Sequence, residues 1–229
     1  MAGMQAGVRK LIVAYDVEHY SGRGTRREYA TQQRLSDVLE FALRESRISP
    51  DSAEVQMQGD GGLALLPTGG TVDEPRLIVS IINAFVQGLI ELNEDLVAEA
   101  RVRLRLALQE GVVHPAPHGY VGPAVIEACR LRDSDPVRSA LADGDAPLVV
   151  VVADGLYRDV LSQGYHGLPA SAFTPVDVQV KSYSGKAWIH LPGAAKRPGP
   201  AAAVRERGAG ERADAVSLQD FLAAPPESW

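Results

Sequence analysis

Two aspartates of this sequence lie where carboxylates can hold metal ions. Asp16 ends an apolar run, residues 9–16, which predicts a buried strand. Asp60 lies in a Gly-Asp-Gly-Gly turn between two short apolar runs, a pattern that predicts a β-hairpin. Two carboxylates that lie close together repel each other, and a divalent cation between them removes that repulsion. Two such ions could clamp a triphosphate and activate a ribose hydroxyl for in-line attack.

Each aspartate also has a purely structural explanation. Asp60 suits ordinary turn chemistry, because a short polar side chain beside glycine is favoured in tight turns. Asp16 could simply cap the loop that follows its strand. Only the two residues together, brought close by the order of the strands, favour metal binding over these alternatives.

The order of predicted elements indicates how the two aspartates meet. The first half of the chain alternates as strand, helix, strand, strand, helix, strand, with amphipathic helices over residues 25–45 and from residue 74, and a half-exposed strand over residues 102–108. This is the split βαββαβ order of ferredoxin-like folds, in which two helices cover one face of an antiparallel sheet. We therefore predict an α+β fold with a ferredoxin-like core and extra C-terminal helices and strands.

Composition and charge exclude several classes of protein. The 229 residues carry a formal net charge of −6, which argues against a nucleic-acid-binding protein. The longest apolar run, residues 148–153, is too short to cross a bilayer, and residues 1–10 lack the apolar core of a signal peptide. The single cysteine, Cys129, excludes an internal disulfide bond. We therefore expect a cytoplasmic protein that binds neither nucleic acid nor membranes.

A change in composition divides the chain. Residues 1–193 contain all the predicted helices and strands of the fold. Residues 194–229 begin with a long stretch of mostly Ala, Gly, Pro, Arg and Glu, which is too poor in large apolar side chains to form a core. We predict one folded domain, residues 1–193, followed by an unstructured tail, residues 194–229.

Five segments, in chain order, resemble motifs of class III nucleotidyl cyclases. AYDVEHYS around Asp16 and QMQGDGGLAL around Asp60 resemble the first and second metal-binding motifs. RLALQEG resembles the strand that follows, and YVGPAVIEACRL resembles the helix that carries the transition-state residues. VQVKSYSGKAWIHL is similar to the closing, lysine-bearing hairpin. The resemblance covers nearly all of the predicted domain and implies the cyclase type of ferredoxin-like fold.

The resemblance implies an enzyme that converts a nucleoside triphosphate to a 3′,5′-cyclic nucleotide and pyrophosphate, with Mg²⁺ or Mn²⁺ as cofactor. Asp16 and Asp60 would hold the metal ions, and Arg130 would stabilise the charge that builds on the phosphate. Lys181 matches the lysine of the closing hairpin, with Lys186 as the alternative. In this family the active sites form in a head-to-tail homodimer, with the aspartates from one subunit and the phosphate-binding groups from the other.

Three further positions match substrate-binding positions of the family. Backbone N–H groups of the loop that begins at Val17 would bind the phosphates at a helix start. Gln56 and Gly119 fall on the two base-selecting positions, and neither the adenine nor the guanine pattern is present. Glutamine both donates and accepts hydrogen bonds, so it selects no base by itself. Class III relatives that make cyclic pyrimidine nucleotides in bacterial antiphage defence also lack the usual purine-selecting pair.

One departure from the family leaves a second function open. Ile126 stands where the family has an asparagine, and isoleucine cannot hydrogen-bond to ribose or phosphate. The alternative is a degenerate cyclase-homology domain that binds nucleotide or a partner protein, in signalling or antiphage defence, without turnover. A heterodimer in which a second chain supplies the asparagine also fits. Arg130 and Lys181 have structural alternatives, a surface ion pair with Asp133 and an ordinary exposed strand lysine.

Overall fold

An eight-stranded sheet forms the centre of the computed structural model, which describes residues 5–193. Its strands are β1 (Val8–Val17), β2 (Glu54–Gln58), β3 (Gly61–Pro67), β4 (Leu104–Ala116), β5 (Gly119–Val121), β6 (Leu148–Ala153), β7 (Thr174–Val180) and β8 (Tyr183–His190). The α-helices are α1 (Thr25–Glu45), α2 (Glu74–Asn93), α3 (Pro123–Arg132), α4 (Asp135–Ala142) and α5 (Asp154–Asp159). The predicted tail, residues 194–229, lies outside the described residues.

The strand order confirms the predicted ferredoxin-like core. The order across the sheet is β2-β3-β1-β4-β6-β8-β7, and β5 pairs separately with β4. The four strands of the βαββαβ unit pair in antiparallel fashion, with β1 between β3 and β4. The extra C-terminal part continues the same sheet, because β6 pairs in parallel with β4 and the β7–β8 hairpin pairs with β6.

The helices α1 and α2 cover one face of this sheet. Leu11, Val13 and Tyr15 alternate along β1 and are buried in the same cluster as Leu35 of α1 and Phe85 of α2. Side chains two residues apart on a strand point to the same face, so this alternation explains which face the two helices cover. Burying each large apolar side chain stabilises the fold by about 1.5–3 kcal/mol. The packing holds β1 in the middle of the sheet.

The opposite face carries α3 and α4. Ile12 and Ala14 of β1 are buried there together with Ala128 of α3 and Leu141 of α4. Asp16 continues this even-numbered series, so its side chain lies on the α3 side of the sheet. The position of α3 therefore decides which groups surround the first predicted metal ligand.

The largest difference from the predicted elements is at β4. The strand predicted over residues 102–108 runs on to Ala116, because residues 109–113 continue to pair with β1 and residues 114–116 pair with β5. This extension contains Pro115, and a proline interrupts the apolar pattern by which strands are recognised. Neither β5 nor the far end of β4 was therefore predicted from the sequence.

The helix α2 is long and apolar enough, by length and composition alone, to span a membrane. Half of its apolar window is buried inside the fold, including Ile78, Ile82 and Phe85. A core helix that covers a sheet has this composition, so packing against the sheet accounts for it. Within residues 5–193 no other helix meets the same length and hydropathy requirement.

Candidate active site

The strand β1 and the β2–β3 hairpin place Asp16 and Asp60 at neighbouring positions at one end of the sheet. Asp16 pairs with Gly61, the residue that follows Asp60. The N–H of Val17 donates to the carbonyl oxygen of Asp60 at 2.8 Å. The backbones of the two aspartates are thus side by side, as the predicted strand order implies.

A glycine permits this close approach of β3 to β1. A Cβ atom at Gly61 would overlap the carbonyl oxygen of Tyr15 and would lie 2.8 Å from the Cα of Asp16. Backbone atoms cannot move aside as a flexible side chain can, so any larger residue here would push the hairpin away from β1. The Gly-Asp-Gly-Gly sequence therefore both forms the turn and sets the separation of the two aspartates.

The carboxylate of Asp16 is paired with Arg105 on the neighbouring strand β4. The Nε of Arg105 donates to Oδ1 at 2.9 Å and its Nη2 donates to Oδ2 at 2.6 Å. The two residues face each other in the β1–β4 register, and their side chains are only 9% and 13% exposed. A bidentate arginine–carboxylate pair is the most strongly bonded geometry of this kind. Arg105 belongs to the RLALQEG motif, but its partner follows only from the register.

A second arginine, Arg132 at the end of α3, extends this ion pair into a network. Its Nε lies 4.0 Å from Oδ2 of Asp16, and its Nη1 donates to the carbonyl oxygen of Tyr15 at 3.4 Å. Arg132 also donates two hydrogen bonds to Asp133, at 2.9 and 3.0 Å. The charges therefore alternate from Arg105 through Asp16 and Arg132 to Asp133, and the network ties α3 to the end of β1.

Burial and charge act in opposite directions on Asp16. Desolvation raises the pKa of Asp16, while the charges of Arg105 and Arg132 and the hydrogen bond from Arg105 lower it without full compensation. For Arg132, burial lowers the pKa, but the hydrogen bond and charge of Asp133, together with the charges of Asp16 and Cys129, raise it overall. Ionised Asp16 thus depends on nearby positive charge, which a bound cation would also provide.

The chemistry of the two aspartates fits Mg²⁺ or Mn²⁺, because both ions prefer carboxylate oxygens. In this structure Arg105 supplies the positive charge and hydrogen-bonds to both oxygens of Asp16. Within residues 5–193 no group of three or more His, Cys, Asp or Glu side chains gathers to form a complete metal site. A metal ion at Asp16 and Asp60 would share Asp16 with Arg105.

The loop that follows β1 is held mainly by contacts to its backbone. Besides the bond from Val17 to Asp60, the N–H of Glu18 donates to the carbonyl oxygen of Arg103 at 2.9 Å. The guanidinium of Arg23 donates to three carbonyl oxygens of this region, those of Glu18, His19 and Arg101. The N–H of Val17 is therefore committed within the fold, which disfavours the predicted phosphate contact at that residue.

Arg130 and Lys181 meet in a cleft of about 600 Å³ between α3, α4 and the β7–β8 hairpin. The other lining residues are Val125, Ile126, Cys129, Asp133, Arg138 and Val180. Lys181 lies in the two-residue turn of the hairpin, exposed and with φ 53°, and not within a strand. Lys186, the alternative lysine, lies within β8 opposite Asp177 and does not line this cleft.

Two features of the cleft bear on the alternatives left open by the sequence. Asp133 is bound by Arg132 and not by Arg130, so the surface ion pair considered for Arg130 does not form. Ile126 is 51% exposed and lines the cleft where the family has an asparagine. The first feature leaves Arg130 without that ion pair, whereas the second places an apolar side chain where the resemblance predicts a polar one.

Gln56 and Gly119, which the sequence resemblance predicts to be base-selecting, are in contact. The Nε2 of Gln56 donates to the carbonyl oxygen of His118 at 3.1 Å. Gly119 has φ +115°, a conformation that favours glycine, and a Cβ atom there would overlap the Gln56 amide. The β4–β5 pairing, which the sequence did not predict, therefore brings the two positions together and makes each depend on the other.

Gly119→Ala is expected to lower the free energy of unfolding by about 1–2 kcal/mol, and the base-selecting role that the resemblance implies predicts a change in nucleotide preference as well. The positive φ strains any residue other than glycine, and the added methyl group must displace Gln56. Urea denaturation and a comparison of binding to four nucleoside triphosphates would measure the two effects. Gly155→Ala is the matched control, because a Cβ there meets no atom within 4 Å. Equal behaviour of the two variants would contradict this prediction.

The fold is similar to solved structures of nucleotidyl cyclases. The guanylyl cyclase Cya2 matches with a TM-score of 0.59 and 13% identity, over 86% of this chain and 98% of that one. An adenylate/guanylate cyclase/hydrolase from Silicibacter pomeroyi matches with a TM-score of 0.57 and 18% identity, over 82% of this chain and 98% of that one. A third match is the catalytic core of a rhodopsin-guanylyl cyclase with converted specificity, in complex with ATPαS. Its TM-score is 0.53 and its identity 16%, over 83% of this chain and 100% of that one. No protein-family model and no curated protein matches the sequence.

These similarities define the class of fold. Over most of its length the chain has the fold of class III adenylyl and guanylyl cyclase catalytic domains. The resemblance found in the five sequence motifs is thereby confirmed, together with the α+β cyclase type of architecture. These similarities show the fold alone, so the function is inferred from the residues of the candidate site.

Proposed function

We propose that this protein is a nucleotidyl cyclase, which forms a 3′,5′-cyclic nucleotide and pyrophosphate from a nucleoside triphosphate. The observation that carries the proposal is that Arg130 and Lys181 line the same cleft. These residues come from α3 and from a hairpin turn far along the chain, and a cleft lined by two cations suits an anionic ligand. The adjacent backbones of Asp16 and Asp60 supply the second half of such a site.

In the proposed mechanism the protein orients the nucleotide and stabilises its charge. The guanidinium of Arg130 and the ammonium of Lys181 bind phosphate oxygens and stabilise the charge that develops during attack on phosphorus. Asp16 and Asp60 would hold Mg²⁺ or Mn²⁺, which when bound lowers the pKa of the attacking hydroxyl and neutralises phosphate charge. The charge and hydrogen bonds of Arg105 favour the ionised form of the buried Asp16 carboxylate and oppose the rise in its pKa that burial causes.

The proposal places two active sites in a head-to-tail homodimer. Asp16 lies at the end of β1, and the cleft with Arg130 and Lys181 is formed by α3, α4 and the β7–β8 hairpin. Each site would combine the aspartates of one subunit with the cleft of the other. A heterodimer with a second cyclase-type chain would complete the site in the same way and could supply the asparagine that Ile126 replaces.

A second candidate function is nucleotide binding without turnover, in signalling or antiphage defence. Two observations favour it. Ile126 presents an apolar side chain to the cleft, and Arg105 occupies both oxygens of Asp16, where it competes with a metal ion. Under this function the cleft would still bind phosphate, but no cyclic product would form.

A product assay separates the two candidates. The purified protein is incubated with Mn²⁺ and ATP, GTP, CTP or UTP, and cyclic nucleotides are detected by mass spectrometry. The cyclase proposal requires a cyclic product from at least one substrate. Binding of a nucleotide by calorimetry without any product would instead support the second candidate, and the absence of both binding and product would overturn both.

Paired lysine variants test the assignment of the cleft. Lys181→Ala is expected to lower kcat by at least about tenfold, because a charge-assisted contact to phosphate is lost. Lys186→Ala, at an exposed position on the same hairpin but outside the cleft, is expected to retain wild-type turnover. The opposite ranking would assign the role to Lys186 and would contradict the placement of the substrate in this cleft.

A further inference from the structure

We propose that Arg138 of α4 is a third phosphate-binding residue of the cleft and contacts the polyphosphate chain of the nucleotide. The inference rests on the proposed function, because it deepens the description of the same site. It does not follow from any of the five sequence motifs, all of which lie outside α4. It follows from the charges that the fold gathers around the cleft.

The cleft contains more positive charge than its own carboxylate can balance. Arg130, Arg138 and Lys181 all line it, and Asp133 is its one acidic lining residue. Both oxygens of Asp133 accept hydrogen bonds from Arg132, at 2.9 and 3.0 Å. Among the residues that the structure describes, none of the three cleft cations has a carboxylate within 4.0 Å. Three unbalanced cations in a protein of net charge −6 indicate a polyanionic ligand.

The fold fixes Arg138 relative to the rest of the cleft. Val137 and Leu141 are fully buried and anchor one side of α4 on the sheet, which leaves Arg138 exposed on the other. At the junction of α3 and α4, the Oγ of buried Ser134 donates to the carbonyl oxygen of Leu131 at 2.8 Å. The N–H of Arg138 in turn donates to the carbonyl oxygen of Ser134 at 3.1 Å. The backbone of Arg138 is therefore anchored to the junction of α3 and α4, and its side chain lines the same cleft as Arg130.

The composition of the walls indicates which anion fits. Val125, Ile126 and Val180 provide apolar surface in the same cleft as the three cations. Such a surface accommodates a ribose or base beside the charged groups. A triphosphate presents three phosphoryl groups to three cations, whereas a monophosphate presents one. We therefore expect Arg138 to favour nucleoside triphosphates over monophosphates, independently of the base.

Calorimetric binding without turnover tests this role. The probes are the α,β-methylene analogues of ATP, GTP, CTP and UTP with Mn²⁺, and the monophosphate that corresponds to the tightest binder. Arg138→Ala is expected to weaken analogue binding by about tenfold, through loss of a charge-assisted contact, and monophosphate binding by less than about twofold. Arg138→Lys should recover part of the loss, because it keeps the charge without the bidentate geometry.

The control is Arg158→Ala, which removes an exposed arginine of α5 whose partner is Asp154 and which does not line the cleft. It should leave both affinities unchanged. If the wild type binds an analogue and Arg138→Ala binds it equally well, the role of Arg138 is overturned while the proposed function stands. Equal weakening for triphosphate and monophosphate would also overturn it. If the wild type binds no analogue and forms no product, the proposed function fails as well.

Discussion

Asp16→Ala is expected to lower the free energy of unfolding by about 3–5 kcal/mol and to abolish any cyclase activity. The substitution leaves Arg105, whose side chain is 13% exposed, without the carboxylate that accepts two of its hydrogen bonds. It also removes one of the two acidic neighbours of Arg132, which lies 4.0 Å away. A buried cation without its partner carries a desolvation cost that the ion pair had offset. Urea denaturation measures the loss of stability.

Asp60→Ala is the matched comparison. Asp60 is half-buried and makes no ion pair within residues 5–193, so we expect its replacement to change the free energy of unfolding by less than about 1 kcal/mol. If both aspartates hold metal, the two variants lose activity alike while differing in stability.

Replacing both members of the ion pair separates the loss of the pair itself from the cost of leaving one buried charge unpaired. Asp16→Leu/Arg105→Leu should be more stable than Asp16→Ala, because no unpaired charge remains at the β1–β4 contact. If Asp16→Ala unfolds at the same urea concentration as the wild type, Asp16 and Arg105 do not form the buried pair described here.

Mixing two inactive variants, Asp16→Asn and Arg130→Ala, is expected to restore about a quarter of wild-type activity if dimers form head to tail. Asparagine is used because it keeps hydrogen-bonding atoms beside Arg105. Each variant alone should lose at least about a hundredfold in kcat. In a mixed dimer one site carries both substitutions and the other carries neither. Random pairing makes half of the dimers mixed, and one of the two sites in each mixed dimer is intact. A quarter of all sites are therefore active.

The control for complementation mixes two variants that each lack one of the two predicted metal-binding aspartates. In a mixture of Asp16→Asn and Asp60→Ala, every site lacks one aspartate, so no activity should return. Product formation is followed after the two proteins are unfolded together and refolded, which allows subunits to exchange. Recovery in the control as well, or no recovery in either mixture although the wild type is active, would contradict the shared-site dimer.

Much of the fold could be predicted from local patterns. Helix periodicity predicted α1 over its observed range, and the apolar run over residues 9–16 predicted the buried strand β1 that ends near Asp16. The Gly-Asp-Gly-Gly turn predicted the hairpin, and the split strand order then put Asp16 and Asp60 beside each other. These features depend on residues close in sequence and on a topology with few alternatives.

The tertiary structure alone decided which charges meet. Arg105 and Asp16 are 89 residues apart, and they pair because the β1–β4 register sets them opposite each other. The position of Arg132 depends on how α3 packs on the sheet, and that of Arg138 on the turn that joins α3 to α4. No sequence pattern specifies such contacts, because each depends on several packed elements at once. The sequence by itself therefore determined the class of fold and the neighbouring aspartates, whereas packing decided their counter-charges and gathered the cations of the cleft.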